Sequence, residues 1–141
     1  MIAFLGLSHL SLCYAASILR LNKKVIIFDI KKEILNYNLG LTKIFEPGLD
    51  KIIQEKKNNL KITSDLKELK NTKIIFLAKD IKTDKKNNII LKESIKLLNL
   101  TYKISQNKTL VIMNQVPVNF TRNVKWQSDK VGFLLIDICH V

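Results

Sequence analysis

One stretch near the start of the chain has residue types and spacing that could bind phosphate. The sequence GLSHLS at residues 6–11 follows a short apolar run and precedes an apolar helical pattern. The N–H groups at a helix N-terminus favour an anion. Phosphate turns of this kind use three glycines: one for the tight turn, one for the approach of the phosphate and one for helix–strand packing. Gly6 keeps the first role and Ser8 is small with a useful hydroxyl, whereas we expect Ser11 to overpack the helix–strand contact. An ordinary strand–helix connection is the alternative.

Asp29 is a second candidate residue, because it ends the apolar run VIIFD about twenty residues after the turn. At that spacing a carboxylate can accept hydrogen bonds from ribose hydroxyls. It favours NAD over NADP, since it would repel the additional phosphate of NADP. Gly6 and Asp29 together predict a dinucleotide-binding unit, and a surface acid at a strand end is the alternative.

The elements that must position these residues alternate along the chain. The predicted strands are MIAFLG, KKVIIFD, LKIT, KIIFLA, TLVIMN and VGFLLIDI. The predicted helices are HLSLCYAASILRLN, KKEILNYNLG, a helix after the Pro47-Gly48 turn, a short DLKELK helix capped by Ser64, and IILKESIKLLNLTYKI. KDIKTDKKNN reads as a polar loop. Apolar, β-branched strands between helices predict an α/β fold: a Rossmann-like doubly wound parallel sheet in three layers, forming a single domain over residues 1–141.

Composition favours a folded domain without a nucleic-acid partner. The chain has 141 residues, is 47% hydrophobic, and contains four glycines and two prolines, which disfavours disorder. The net charge of +12 could serve nucleic acid, a membrane surface or an anionic ligand. The lysines form no long block, and we interpret them as a solvated surface. They include Lys51, Lys56, Lys57, Lys67, Lys70, Lys85, Lys86, Lys92 and Lys96.

The two cysteines, Cys13 and Cys139, are far apart and have no metal-ligand spacing, so we predict no metal site. We expect Cys13 to be a small core residue and the protein to be cytoplasmic, where thiols stay reduced. Residues 1–19 carry no Asp, Glu, Lys or Arg, which leaves a signal anchor as an alternative. A basic leader region and a small-residue cleavage site are absent from the stretch, so we expect no membrane association.

Four stretches resemble the N-terminal NAD-binding domain of the UDP-glucose/GDP-mannose dehydrogenase family, over residues 1 to about 124. The most specific contains Glu46, Pro47, Gly48 and Leu49 at the family's distance after the ribose acid. The four stretches are IAFLGLSHLSL, VIIFDIKKEILNYNLGLTKIFEPGLDKII, LKITSDLKELKNTKIIFLA and LVIMNQVPVNFTR. One branch of the family carries G-x-S-H-L-G, D-V-P-T-D-D and Q-V-P-x-G-F-T-R. This chain departs from that pattern at three positions: Ser11 and Asn119 each stand in place of Gly, and Lys82 stands in place of Pro. Residues 125–141 are not assigned by the resemblance.

The resemblance implies NAD as cofactor and oxidation of the C6 alcohol of a nucleotide sugar to a carboxylate. The cofactor-binding residues that it implies are Gly6, Ser8, His9, Leu10, Ser11, Asp29, Thr83 and Gln115. The family's catalytic groups lie beyond residue 141, so we expect no catalytic residue in this chain and a truncated or drifted member. A sugar-nucleotide-binding domain or chain is then an expected partner. The alternative is an interaction or docking module in which cofactor binding has decayed.

Overall fold

The structure, a computed structural model, describes residues 1–41 and 46–126. Its strands are β1 Ile2–Leu5, β2 Val25–Phe28, β3 Leu60–Thr63, β4 Ile74–Leu77, β5 Lys82–Thr83, β6 Ile89–Ile90 and β7 Thr109–Ile112. Its helices are α1 His9–Arg20, α2 Lys31–Asn38, α3 Leu49–Glu55, α4 Lys92–Thr101 and α5 Phe120–Asn123. Three 3₁₀ turns span Lys57–Asn59, Leu66–Leu69 and Tyr102–Ile104.

Five of the strands form one parallel sheet in the order β3-β2-β1-β4-β7. The chain builds outward from β1 to β2 and β3, then returns to the other side of β1 with β4 and β7. The strand order therefore reverses between β1 and β4, which is where ligands bind in open sheets of this type. The predicted α/β, doubly wound fold is confirmed.

The sheet is covered on both faces because its strands are apolar on both sides. Phe4 and Ile27 point toward one face, where they pack with α1 residues such as Leu12 and Ala16. The alternate strand residues point to the other face, where they pack with Leu97 of α4. These two apolar layers hold the carboxyl ends of β1, β2 and β4 side by side.

The uncharged residues 1–19 form β1, the turn after it and most of α1, rather than one long helix. The buried residues of α1 lie on one side and the helix presents Tyr14 to solvent. Across the described ranges, no helix has both the length and the apolar character needed to span a bilayer.

Two local predictions were wrong. The short helix after β3 is a 3₁₀ turn capped by Asp65 rather than Ser64, because the Asp65 carboxylate accepts from the Lys67 N–H at 2.9 Å. The stretch predicted as a polar loop, residues 79–88, contains β5 and the turn of a β5–β6 hairpin, and β6 takes up the first two residues of the predicted helix that follows. Its turn is stabilised by Asp84, whose Oδ1 accepts from the Lys86 N–H at 2.7 Å. Asn87 in that turn has φ +62, a conformation that asparagine tolerates better than most residues.

Trp126 extends the fold beyond the limit set by the resemblance. Its ring is buried and packs against the α4 side of the sheet. Its Nε1 donates to the Lys108 carbonyl at 2.9 Å. The predicted last strand VGFLLIDI and Cys139 lie outside the described residues.

Candidate functional site

The site begins with the backbone of Gly6 at the carboxyl end of β1. Its N–H donates to the Phe28 carbonyl at 2.9 Å, and its φ is +105. A Cβ added there would lie 2.6 Å from the Lys79 Cα. Glycine is therefore required both by the backbone angle and by the close approach of the β4 end.

Ser8 and Ser11 form a reciprocal cap at the start of α1. The Ser11 N–H donates to Ser8 Oγ at 3.1 Å, and the Ser8 N–H donates to Ser11 Oγ at 3.0 Å. Ser8 Oγ in turn donates to the Ala78 carbonyl, which connects the turn to the end of β4. We expected Ser11 to overpack the helix–strand contact. In the structure its buried hydroxyl instead points back to Ser8 and completes a capping box.

Two N–H groups of the turn are left for a ligand. Leu7 N–H donates to a carboxylate, and those of Ser8 and Ser11 are used in the cap. The N–H groups of His9 and Leu10 have no partner within the described residues. They are the first two positions of α1, where the helix dipole favours negative charge. The pair can bind an anion such as a phosphate.

Asp29 lies at the end of β2, beside the turn, and is only 1% exposed. Its Oδ2 accepts from the Leu7 N–H at 2.7 Å and from Lys79 Nζ at 2.9 Å. Its Oδ1 accepts from the Ile30 N–H at 2.7 Å. A carboxylate offers about four acceptor positions, so three are filled and one is left for a ligand hydroxyl.

Lys79 is the site residue that the sequence analysis missed. It lies two residues after the end of β4, is 7% exposed, and lies 3.5 Å from Glu33 and 3.7 Å from Glu93 in addition to Asp29. Burial lowers the pKa of Lys79, but the hydrogen bond and charge of Asp29, with the charges of Glu33 and Glu93, outweigh it and hold the pKa above its ordinary value. The feature of the sequence that could have identified Lys79 is its position immediately after the predicted strand KIIFLA.

The later candidate residues lie on the same side of the sheet but apart from the turn. Thr83 is exposed in β5 and Gln115 is exposed after β7. Within residues 1–41 and 46–126, no hydrogen bond or ion pair joins either of them to residues 6–11. Asn114, which sequence reasoning did not select, donates to Ser94 Oγ at 3.0 Å, and its Oδ1 is buried and has no partner in the described structure.

Two departures from the family pattern are accommodated locally. Asn119, where the pattern has glycine, keeps a left-handed backbone with φ +67, which asparagine tolerates. Lys82, where the pattern has proline, is exposed and pairs with Glu93 at 3.0 Å. Neither substitution disturbs the main sheet.

Residues 1–134 match the UDP-glucose/GDP-mannose dehydrogenase family, NAD binding domain. The chain belongs to this family. Similar solved structures include a GDP-mannose dehydrogenase from Pseudomonas aeruginosa (22% identity, TM-score 0.73) and a UDP-D-ManNAc dehydrogenase from Pyrococcus horikoshii (22% identity, TM-score 0.74). In both cases the match covers 87% of this chain and 30% of the other. An uncharacterized protein of Methanocaldococcus jannaschii is 27% identical over 129 residues, which are 88% of this chain and 14% of that protein. The chain thus spans less than a third of the dehydrogenases it matches.

NAD is the cofactor of the matched domain. The geometry of the site suits the pyrophosphate part of NAD better than the ribose part. The unpartnered N–H groups of His9 and Leu10, above the tight turn at Gly6, fit a pyrophosphate. Asp29, which the sequence predicts as the ribose acid, has one open acceptor position while Lys79 is bound to it. Two ribose hydroxyls can be accepted together only after Lys79 moves away.

Proposed function

We propose that this chain binds NAD through the turn at residues 6–11 and Asp29. The observation that carries the proposal is the pair of unpartnered N–H groups, His9 and Leu10, at the point where the strand order reverses. The carboxylate of Asp29 favours a ribose with free hydroxyls, and therefore NAD over NADP. Thr83 and Gln115, which follow the ends of β4 and β7, are proposed to contact the more distant half of the cofactor.

The chain would serve as the cofactor-binding part of a nucleotide-sugar dehydrogenase. The reaction would be oxidation of the sugar C6 alcohol, with one water, to a carboxylate, in which two NAD molecules each accept one hydride. The chain spans 30% of the length of the similar dehydrogenases, so the sugar-binding and catalytic groups are proposed to come from a further domain or chain. Cys13 does not fit the role of nucleophile, because burial and the nearby charge of Glu46 raise the pKa of its thiol.

A second candidate function is a docking module that no longer binds the cofactor. The observation that favours it is the buried ion pair between Lys79 and Asp29, which occupies the acid that the ribose requires. In this case the fold would be retained for a protein partner. The two functions differ in one measurable property, the binding of NAD.

The experiment is a calorimetric titration of NAD, with NADP in parallel, in the presence of a metal chelator. His9→Pro deletes one unpartnered N–H and suits the first helical position, where proline is favoured. Ser8 before it is already extended, with φ −142 and ψ 167, as a residue before proline requires. His9→Ala is the matched control, since it removes the side chain and keeps the N–H.

We expect NAD to bind the native chain and His9→Ala alike, and NADP to bind less tightly. His9→Pro should lose about 1.5–3 kcal/mol of binding free energy, the usual contribution of a hydrogen bond to a charged group. If His9→Pro and His9→Ala bind NAD with equal affinity, the turn at residues 6–11 is not part of the NAD-binding site. Absence of NAD binding by the native chain and by Lys79→Met would favour the docking module.

A further inference from the structure

A second group of side chains converges on the outer side of the first turn of α1. His9 and Cys13 are one helical turn apart, and their Nε2 and Sγ atoms lie 3.6 Å from each other. Glu46, just before the Pro47-Gly48 turn, places Oε1 3.6 Å from the same Nε2. The three ligand atoms all lie within 4.8 Å of one another. An imidazole, a thiol and a carboxylate from two separate segments therefore meet at one point.

Two of the three spacings between these atoms match the edges of a metal coordination tetrahedron. Zinc binds nitrogen, sulfur and oxygen at about 2.0 to 2.3 Å, and tetrahedral angles then separate the ligand atoms by about 3.4 to 3.6 Å. The two distances from His9 Nε2 are both 3.6 Å. Glu46 has a side chain that is 46% exposed, so it can rotate to close the remaining gap to Cys13.

We propose that His9, Cys13 and Glu46 form a binding site for a zinc-like divalent ion. Thiolate, imidazole and carboxylate together are a ligand set that suits zinc. In the absence of an ion, His9 Nε2 is within ion-pair distance of Glu46 Oε1 and within hydrogen-bond distance of Cys13 Sγ, so the three groups already face one another. Because the His9 side chain is 51% exposed, the fourth coordination position is open to water.

Binding of the ion would add a link between two parts of the chain that already share one apolar cluster. Cys13 and His9 belong to α1, whereas Glu46 belongs to the segment that leads into α3. The ion would therefore fix this segment beside the turn whose N–H groups face the proposed phosphate position. It would contact the His9 side chain and leave the His9 N–H available.

The test is a cobalt(II) titration of the chain, followed by displacement with zinc. The chain has two cysteines and two histidines, so the background variant Cys139→Ser/His140→Ala leaves Cys13 and His9 as its thiol and imidazole. In this background we expect one equivalent of cobalt to give thiolate-to-cobalt charge-transfer absorption and the visible bands of tetrahedral cobalt. Zinc should abolish both and should raise the unfolding temperature by mass action.

Single substitutions in the same background then assign the ligands. Cys13→Ala and His9→Ala should lose the cobalt bands, and Glu46→Gln should weaken zinc by more than about tenfold. Glu55→Gln is the matched control, because it neutralises another exposed carboxylate on the neighbouring α3. Circular dichroism establishes that each variant is folded.

Three outcomes would overturn the site: no cobalt bands in the background variant, bands that survive Cys13→Ala, or equal zinc affinity of Glu46→Gln and Glu55→Gln. The result is independent of the proposed function, since metal binding is measured without NAD and NAD binding is measured with a chelator. Cys13→Ala separates them further, because it should lose the metal and keep NAD, since Cys13 lies outside the turn at residues 6–11.

Discussion

Lys79 Nζ lies 2.9 Å from Asp29 Oδ2, across the turn at Gly6 and between the ends of β2 and β4. Both side chains are buried, at 7% and 1% exposure. The acid proposed to bind the ribose thus carries an intramolecular cation. A ligand hydroxyl on Asp29 Oδ2 competes with this cation and with the Leu7 N–H, so we expect the ion pair to lower the affinity of the site for NAD.

Replacing Lys79 with methionine should tighten NAD binding and weaken the fold. The change opens a second acceptor position on Asp29 to the ribose, and it leaves a buried carboxylate with its backbone N–H donors alone. Removal of one partner of a buried pair costs about 3–5 kcal/mol, and we expect the lower end because Leu7 and Ile30 still donate to Asp29. Urea unfolding measures the cost, and calorimetry measures the affinity.

Two controls accompany the Lys79→Met variant. Lys51→Met removes an exposed lysine away from this pair and should change neither property appreciably. Asp29→Asn combined with Lys79→Met should recover part of the stability, since no charge is then left buried. NAD affinity of Lys79→Met at or below that of the native chain would show that Lys79 does not compete with the ribose.

Gly6→Ala should be more destabilising than Gly40→Ala. Both glycines have positive φ, +105 and +69, so each substitution incurs backbone strain of about 1–3 kcal/mol. An added Cβ meets nothing within 4 Å at Gly40, whereas at Gly6 it would lie 2.6 Å from the Lys79 Cα. Thermal unfolding of the two variants isolates this clash, and equal shifts in their melting temperatures would contradict it.

The fold was predictable from the sequence because the strands are short, apolar on both faces and separated by helical patterns. The role of Gly6 in the tight turn was also predictable, because the glycine comes at the end of the first predicted strand. The partner of Asp29 was not predictable. Lys79 is fifty positions away from Asp29 and was one of many lysines, and only the parallel pairing of β1 with β2 and β4 brings the two strand ends together.

The His9–Cys13–Glu46 cluster was missed for a related reason. A search for metal-ligand spacing that begins from pairs of cysteines passes over one histidine and one cysteine a helical turn apart. Glu46 enters the cluster only through the tertiary position of the segment before α3. The resemblance singled out Glu46 as part of a motif and gave no reason to place it beside α1.

Ser11→Gly should destabilise the protein, although glycine is the family residue at this position. The Ser11 hydroxyl accepts from the Ser8 N–H and donates to the Ser8 carbonyl, so glycine removes both bonds. Glycine within a helix costs about 0.5–1 kcal/mol and each of the two lost hydrogen bonds costs about 1 kcal/mol, which together give about 2.5–3 kcal/mol. Ser11→Ala, which removes the hydroxyl alone, should cost less. A rise in the unfolding midpoint for Ser11→Gly would restore the overpacking interpretation.

The stability of the protein should fall in acid partly through Glu93. Burial raises the pKa of Glu93, but the hydrogen bond from Lys82, with the charges of Lys79 and Lys82, outweighs it and holds the pKa below its ordinary value of 4.5. A carboxyl with a depressed pKa contributes stability above its unfolded pKa and loses that contribution as pH falls through the folded one. Glu93→Gln should therefore flatten the decline in unfolding free energy below about pH 4.5. Glu55→Gln, which removes an exposed carboxylate 4.0 Å from Lys51, is the control.

The same measurement carried to alkaline pH tests Lys79. Its pKa is held above 10.5, so its stabilising charge is fully present below the unfolded value and is lost only as pH rises through the folded value. We expect the native chain to keep this contribution throughout the neutral range and to lose stability beyond about pH 10.4, the unfolded pKa of a lysine. Lys79→Met should show a smaller alkaline decline than the native chain in the same urea titrations. If the two declines are parallel, the Lys79–Asp29 pair does not contribute to stability through its charge.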